Sequence, residues 1–241
     1  MKQNTSSLLS RRRFLQGSAG LGGGLAMAGF AGAFGIGKAE ASHLNDDPQT
    51  ILNLAATAEA LAITFYYSAI TGAQFSVDAE DVAYLQAALD AEKYHYDFLT
   101  SAGGKAMTSE FFVPATVLSS ADTFIKTGLA AETAFVAAYL AATRVFADAG
   151  QGKLAATTAQ HAASEAVHLS LIREIGGLLP NDLAVPAAIY YNVSDAVPTL
   201  APFLKGGSGF IGPVKMPTND QITSAMGGLK VGRPPMYVSL Y

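Results

Sequence analysis

No cysteine occurs anywhere in the chain, so disulfides cannot hold the protein together and its stability must come from packing, bound metal or assembly. Charge is scarce as well. Asp, Glu, Lys and Arg make up 14% of the residues, so an ionisable group inside an apolar segment needs a physical reason. Basic residues are the scarcer sign, 15 Lys and Arg against 19 Asp and Glu. No nucleic acid is therefore expected as a partner.

Residues 1–41 are set apart from the fold as a twin-arginine signal peptide. Ser10, Arg11, Arg12, Arg13, Phe14 and Leu15 resemble the twin-arginine consensus, a Gly/Ala-rich stretch of moderate hydrophobicity follows, and Ala39-Glu40-Ala41 offers a small-x-small cleavage site. Six glycines between Gly17 and Gly29 make this stretch a poor helix and a weak membrane span. Cleavage is expected over retention, with membrane contact only if the signal stays uncleaved. Removal of residues 1–41 would leave 200 residues with 10 basic and 18 acidic side chains, enough for one domain with a sizeable core. The expected location is periplasmic or otherwise exported. The twin-arginine route carries folded proteins, which suits a chain that acquires metal before export.

Four long helices are expected. Residues 48–72 lack internal proline and glycine, with Asp47 placed as N-cap and Pro48 at the first helical position. A second helix is expected over 78–102, stopped by Gly103-Gly104. A third runs over 120–149, with Ser119 and Asp122 resembling a capping box, and Gly150 and Gly152 separate it from a fourth that extends to about Gly176. Short joints make each consecutive pair a helical hairpin, and the segment 103–120 is long enough to cross from one end of a bundle to the other. The fold class is all-α: a four-helix bundle of two hairpins over 42–179, followed by an irregular Pro/Gly-rich extension over 180–241. That extension carries Ile189, Tyr190, Tyr191, Phe203 and Phe210, so it is expected to pack on the bundle or a neighbouring subunit.

Two glutamates break the apolar pattern. Glu59 is the only charged residue between Asp47 and Asp78, and Glu132 the only one between Lys126 and Arg144. An unpaired carboxylate in such a helix costs several kcal/mol or shifts its pKa until it is neutral, and a metal ion is one partner that makes the charge useful. Two Glu-x-x-His pairs, Glu92 with His95 and Glu165 with His168, add ligands on single helix faces, because residues i and i+3 are neighbours on the helix surface. A shift of 73 residues maps Glu59, Tyr66, Glu92 and His95 onto Glu132, Tyr139, Glu165 and His168 without slippage. One hairpin is thus written twice, and pairing the copies about a pseudo-twofold axis would collect four carboxylates and two imidazoles in the bundle core.

This pattern resembles the ferritin-like superfamily, and within it the exported ferritin-like domain proteins grouped with desiccation-related proteins. The resemblance covers about residues 47–178. It implies a ferritin-like four-helix bundle that binds two Fe or two Mn ions through Glu59, Glu92, His95, Glu132, Glu165 and His168, with Glu92 and Glu165 as bridges. Tyr66 and Tyr139, two turns beyond Glu59 and Glu132 on the same helix faces, are candidate hydrogen-bond donors to the metal ligands or redox-active side chains, against the plainer reading that they fill the core.

Plainer readings also exist for other residues. Glu92 has Asp90, Lys93 and Asp97 nearby and could lie on a solvated face; Glu165 could pair with Arg144 or Arg173. His161, four residues before Glu165, could be a partner or a gate to the site, but its symmetric position is Ala88, which favours a packed or exposed histidine. His43 lies beside the proposed cleavage site. The functional expectation is oxidant chemistry with O2 or peroxide as the small-molecule substrate, of a ferroxidase or manganese-catalase kind, in oxidative or desiccation stress. The alternative is a stress-related structural or interaction protein in which the metal pair is a clamp. A ferritin-style storage cage is weakened by the tail and by the lack of acidic clusters for mineral nucleation. Alanine-rich helices suit homo-oligomer contacts without giving a subunit number.

Overall fold

The computed structural model describes residues 45–240; the signal expected over 1–41 and His43 lie outside the described residues. Four long helices form two hairpins: α1 (Pro48–Gly72) with α2 (Ala79–Ser101), and α3 (Ala121–Asp148) with α4 (Gly152–Ile175). Local chemistry sets their ends. Asp47 accepts hydrogen bonds from the backbone N–H groups of Gln49 and Thr50, each at 3.0 Å, with Pro48 leading the helix. Asp78 caps α2 in the same way through Glu80 and Asp81. The α3 cap is Ser120, which accepts from Thr123 N–H at 3.2 Å. This corrects the expected pairing of Ser119 with Asp122: the Ser119 hydroxyl turns back to the Thr116 carbonyl, and Asp122 pairs with Lys126.

α3 is long and apolar enough to cross a membrane by composition, yet 67% of its most apolar window is buried inside the bundle. It is a core helix. The main core gathers Ile63, Phe65, Leu85, Leu89 and Phe135, and Phe65 stacks on Phe124 with ring centroids 4.8 Å apart.

The crossover between hairpins contains a strand that helix-based reading does not expect. Residues Glu110–Pro114 form β1, which pairs antiparallel with β2 (Phe210–Lys215) in the C-terminal region, Phe111 opposite Val214 and Val113 opposite Ile211. Phe111 and Val113 alternate inward, as a half-buried strand requires. The register shifts between Phe111 and Val113, where Gly212 has φ +148° and a Cβ would meet the Phe111 carbonyl oxygen at 2.7 Å. Only glycine fits that approach.

The extension beyond residue 180 has more order than its composition suggests. It holds α5 (Val197–Lys205) and α6 (Asn219–Ala225), and places Leu200, Phe203 and Ile222 in the main core. Arg144 on α3 fixes an early part of it, donating to the Tyr191 carbonyl at 2.8 Å while its guanidinium lies 3.6 Å from the Tyr191 ring centroid. A final strap, residues 226–240, runs across α2 and α4. There Asp90 accepts hydrogen bonds from Arg233 and from Val231 N–H, the latter at 2.8 Å, and Thr157 accepts from Val238 N–H at 2.9 Å.

Candidate metal centre

Each long helix delivers acid to one place near its middle: Glu59 from α1, Glu92 from α2, Glu132 from α3 and Glu165 from α4. All four are 1% exposed or less, and His95 and His168 lie beside them at 5% and 4%. The plainer readings of Glu92 and Glu165 are thereby excluded. Lys93 pairs with Asp97 on the outer face of α2, Arg144 goes to Asp148 and Arg173 to Asp182. Neither arginine reaches Glu165.

The i,i+3 spacing works as geometry requires, but each imidazole also meets the opposite hairpin. His168 Nδ1 lies 3.1 Å from Glu165 Oε2 on its own helix and 2.7 Å from Glu92 Oε1 across the core. His95 Nδ1 lies 3.5 Å from Glu92 Oε2 and 3.2 Å from Glu165 Oε1, with Glu59 Oε2 at 3.7 Å. The tyrosines cross over too. Tyr66 donates its hydroxyl to Glu132 Oε1, and Tyr139 to Glu59 Oε1. Each hairpin therefore orients the isolated carboxylate of the other.

Among the described residues, seven buried side-chain polar atoms lack an aligned hydrogen-bond partner, and six belong to Glu59, Glu92, His95, Glu132 and Glu165. Such atoms are rare in native interiors because leaving them unsatisfied costs about 1–3 kcal/mol each. Concentrated in one cluster, they could hold a cation. Their positions sort into two groups, Glu59, Glu92, His95 and Glu165, and Glu92, Glu132, Glu165 and His168, with the donor atoms of each group within 4.8 Å of one another. Glu92 and Glu165 belong to both.

The electrostatics agree. Burial, reinforced by the charges of Glu92 and Glu165, pushes Glu59 well above the usual carboxylate range; burial and then Glu165 do the same to Glu132. Burial also opposes ionisation of Glu92, but the His168 charge and hydrogen bonds to its neighbours hold it well below that range. For His95 and His168 burial favours the neutral ring, yet the surrounding carboxylates raise both well above the ordinary histidine value. Tyr66 and Tyr139 are raised by burial and then by Glu132 and Glu59 respectively, so both stay protonated as donors. Without a cation the cluster therefore keeps its charge down by holding protons on Glu59 and Glu132, and a bound cation would take the place of those protons.

A family model for the ferritin-like domain matches residues 47–177, more than half of the chain. The chain belongs to the ferritin-like domain family. No curated protein and no solved structure matches it. The matched span of this ferritin-like domain contains all four long helices and all eight residues singled out from spacing, so the buried Glu/His groups that could hold metal lie within the family's own fold.

His161, expected to be packed or exposed, is packed. It is 2% exposed and wedged between Tyr139, whose ring stacks on it at 4.9 Å, and His95 at 4.8 Å. Its Nδ1–H donates to the Thr157 carbonyl at 2.9 Å while Nε2 has no partner. Burial and then the nearby His95 charge lower its pKa to about 4. The available signal was its i−4 relation to Glu165, which places it on the ligand face; the alanine at the symmetric position argued the other way.

Proposed function

We propose that this ferritin-like domain binds a pair of iron or manganese ions and uses them in redox chemistry with O2 or peroxide in an exported, stress-protective protein. The observation that carries the reading is the sharing of Glu92 and Glu165 between two ligand groups, which suits carboxylate bridging of two cations. Glu59, Glu92, His95 and Glu165 would hold one ion, and Glu92, Glu132, Glu165 and His168 the other. Mixed carboxylate and imidazole donors suit iron or manganese better than an all-oxygen calcium site would. When bound, such a pair supplies paired one-electron redox steps. The chain's own part is to keep a proton on Tyr66 and Tyr139, aim Glu132 and Glu59 through those hydroxyls, and keep bulk water from the apolar core. Export is supported by the twin-arginine pattern at Ser10–Leu15.

The test is elemental analysis of protein purified from its export compartment, beside the double variant Glu92→Ala, Glu165→Ala. About two Fe or Mn per chain in the parent and none in the variant is the expected result. Chelation should then abolish O2 or peroxide consumption, and iron or manganese should restore it. Metal that raises the melting temperature without any such reactivity would replace the redox reading with a structural clamp. Absence of transition metal from both proteins would sink both readings.

A further inference from the structure

A cleft of about 330 Å³ lies between α2 and α4, under the C-terminal strap, with His95 and His168 among its lining residues. Its size is unexpected for a centre that receives only O2 or peroxide, since a water molecule takes about 30 Å³ of liquid. It falls within the range of small organic ligand sites, roughly 300–1,000 Å³. No Asp, Glu, Lys or Arg lines it, and Ala91, Leu171 and Met236 give it largely apolar walls. A cationic ligand would enter without a counter-ion.

His161 also lines the cleft and, among the described residues, is the one buried, unpartnered polar side chain outside the proposed ligand set. A carbonyl can only accept, so the bond to Thr157 puts the ring proton on Nδ1 and leaves Nε2 as a lone pair. The 73-residue repeat places Ala88 at the equivalent position on α2, and Ala88 lines the same cleft. Where one half of the repeat has an acceptor, the other leaves room.

We propose that the cleft binds a small uncharged organic alcohol or phenol, whose hydroxyl donates to His161 Nε2 while its apolar body lies against Ala91, Leu171 and Met236. The strap residues Val231 and Arg233, tied to Asp90, hold the roof over it. The chemical consequence, an organic molecule held beside His95 and His168, rests on the dinuclear reading of that centre; the binding itself does not.

Phenol and toluene, which share a ring and differ in the hydroxyl, are the probes. Each is titrated into the purified full-length protein by calorimetry, with metal content measured on the same samples. Phenol should bind about tenfold more tightly than toluene, the worth of one hydrogen bond in a desolvated site. His161→Leu should erase that preference while toluene binding remains. Ala91→Leu, which narrows the cleft and leaves His161 in place, should weaken both probes. Failure of the parent to bind phenol, or an undiminished phenol preference in His161→Leu, would overturn the proposal. Phenol binding in a protein without metal would leave the cleft assignment standing and remove the dinuclear reading; metal without phenol binding would do the reverse.

Discussion

Glu59 and Glu132 show how one residue can dictate what surrounds it. Each is buried in an apolar helix and receives one phenolic hydroxyl from the opposite hairpin. Tyr66→Phe or Tyr139→Phe removes that donor without changing the packing volume much, so the expected loss is in carboxylate orientation. Metal affinity should fall about 10- to 100-fold, the usual effect of losing a hydrogen bond to a ligand, as read by competition with a chromogenic chelator. The protonation pattern gives a second expectation. Glu59, Glu132, His95 and His168 all have raised pKa values, so each holds its proton to higher pH than in the unfolded chain. A cation must displace those protons. Binding should therefore release protons and tighten as pH rises; calorimetry in two buffers of different ionisation enthalpy measures the release, and proton uptake would contradict the assignment.

Among the elements, the crossover strand and the C-terminal strap close the bundle from outside. Phe111 is fully buried at the start of the β1–β2 ladder, and Phe111→Ala should cost roughly 3–5 kcal/mol, visible as a shifted denaturant midpoint. The strap depends on a charged contact instead. Asp90 is 1% exposed and accepts from Arg233, whose side chain is 41% exposed. Because solvent screens one partner, Arg233→Ala should cost about 1–2 kcal/mol, below the loss for a fully buried pair. The variant should be cut more readily between Gly227 and Tyr237 in limited proteolysis, with metal content unchanged.

For the whole molecule, six buried Glu and His side chains that could hold metal come together from four helices in a chain without cysteine. A cation there would tie both hairpins together, and its removal would leave four buried carboxyl groups facing one another. At free metal about 100-fold above Kd, binding stabilises the fold by about 2.7 kcal/mol, which for a domain of this size corresponds to about 5–11 °C in Tm. Calorimetric melting before and after chelation should show that difference. An unchanged Tm would mean that the cluster takes no metal in the folded state.

The amino-acid order alone determined the four helices, their hairpin pairing and which Glu and His residues share the buried cluster. These are carried by local or periodic signals: Asp47 and Asp78 before their helices, glycines after them, and a 73-residue repeat of isolated acids and Glu-x-x-His pairs. Tertiary structure decided what depends on contacts distant along the chain. Pairing of Glu110–Pro114 with Phe210–Lys215, and of Asp90 with Arg233, joins segments about 100 or more residues apart that carry no matching local pattern. It also decided that each tyrosine serves the opposite hairpin's glutamate, since a helix face specifies a direction but not which side chain will be met there. His161 belongs to the same class: its burial between Tyr139 and His95 follows from how α3, α2 and α4 converge, and its spacing from Glu165 gives the helix face but not those neighbours.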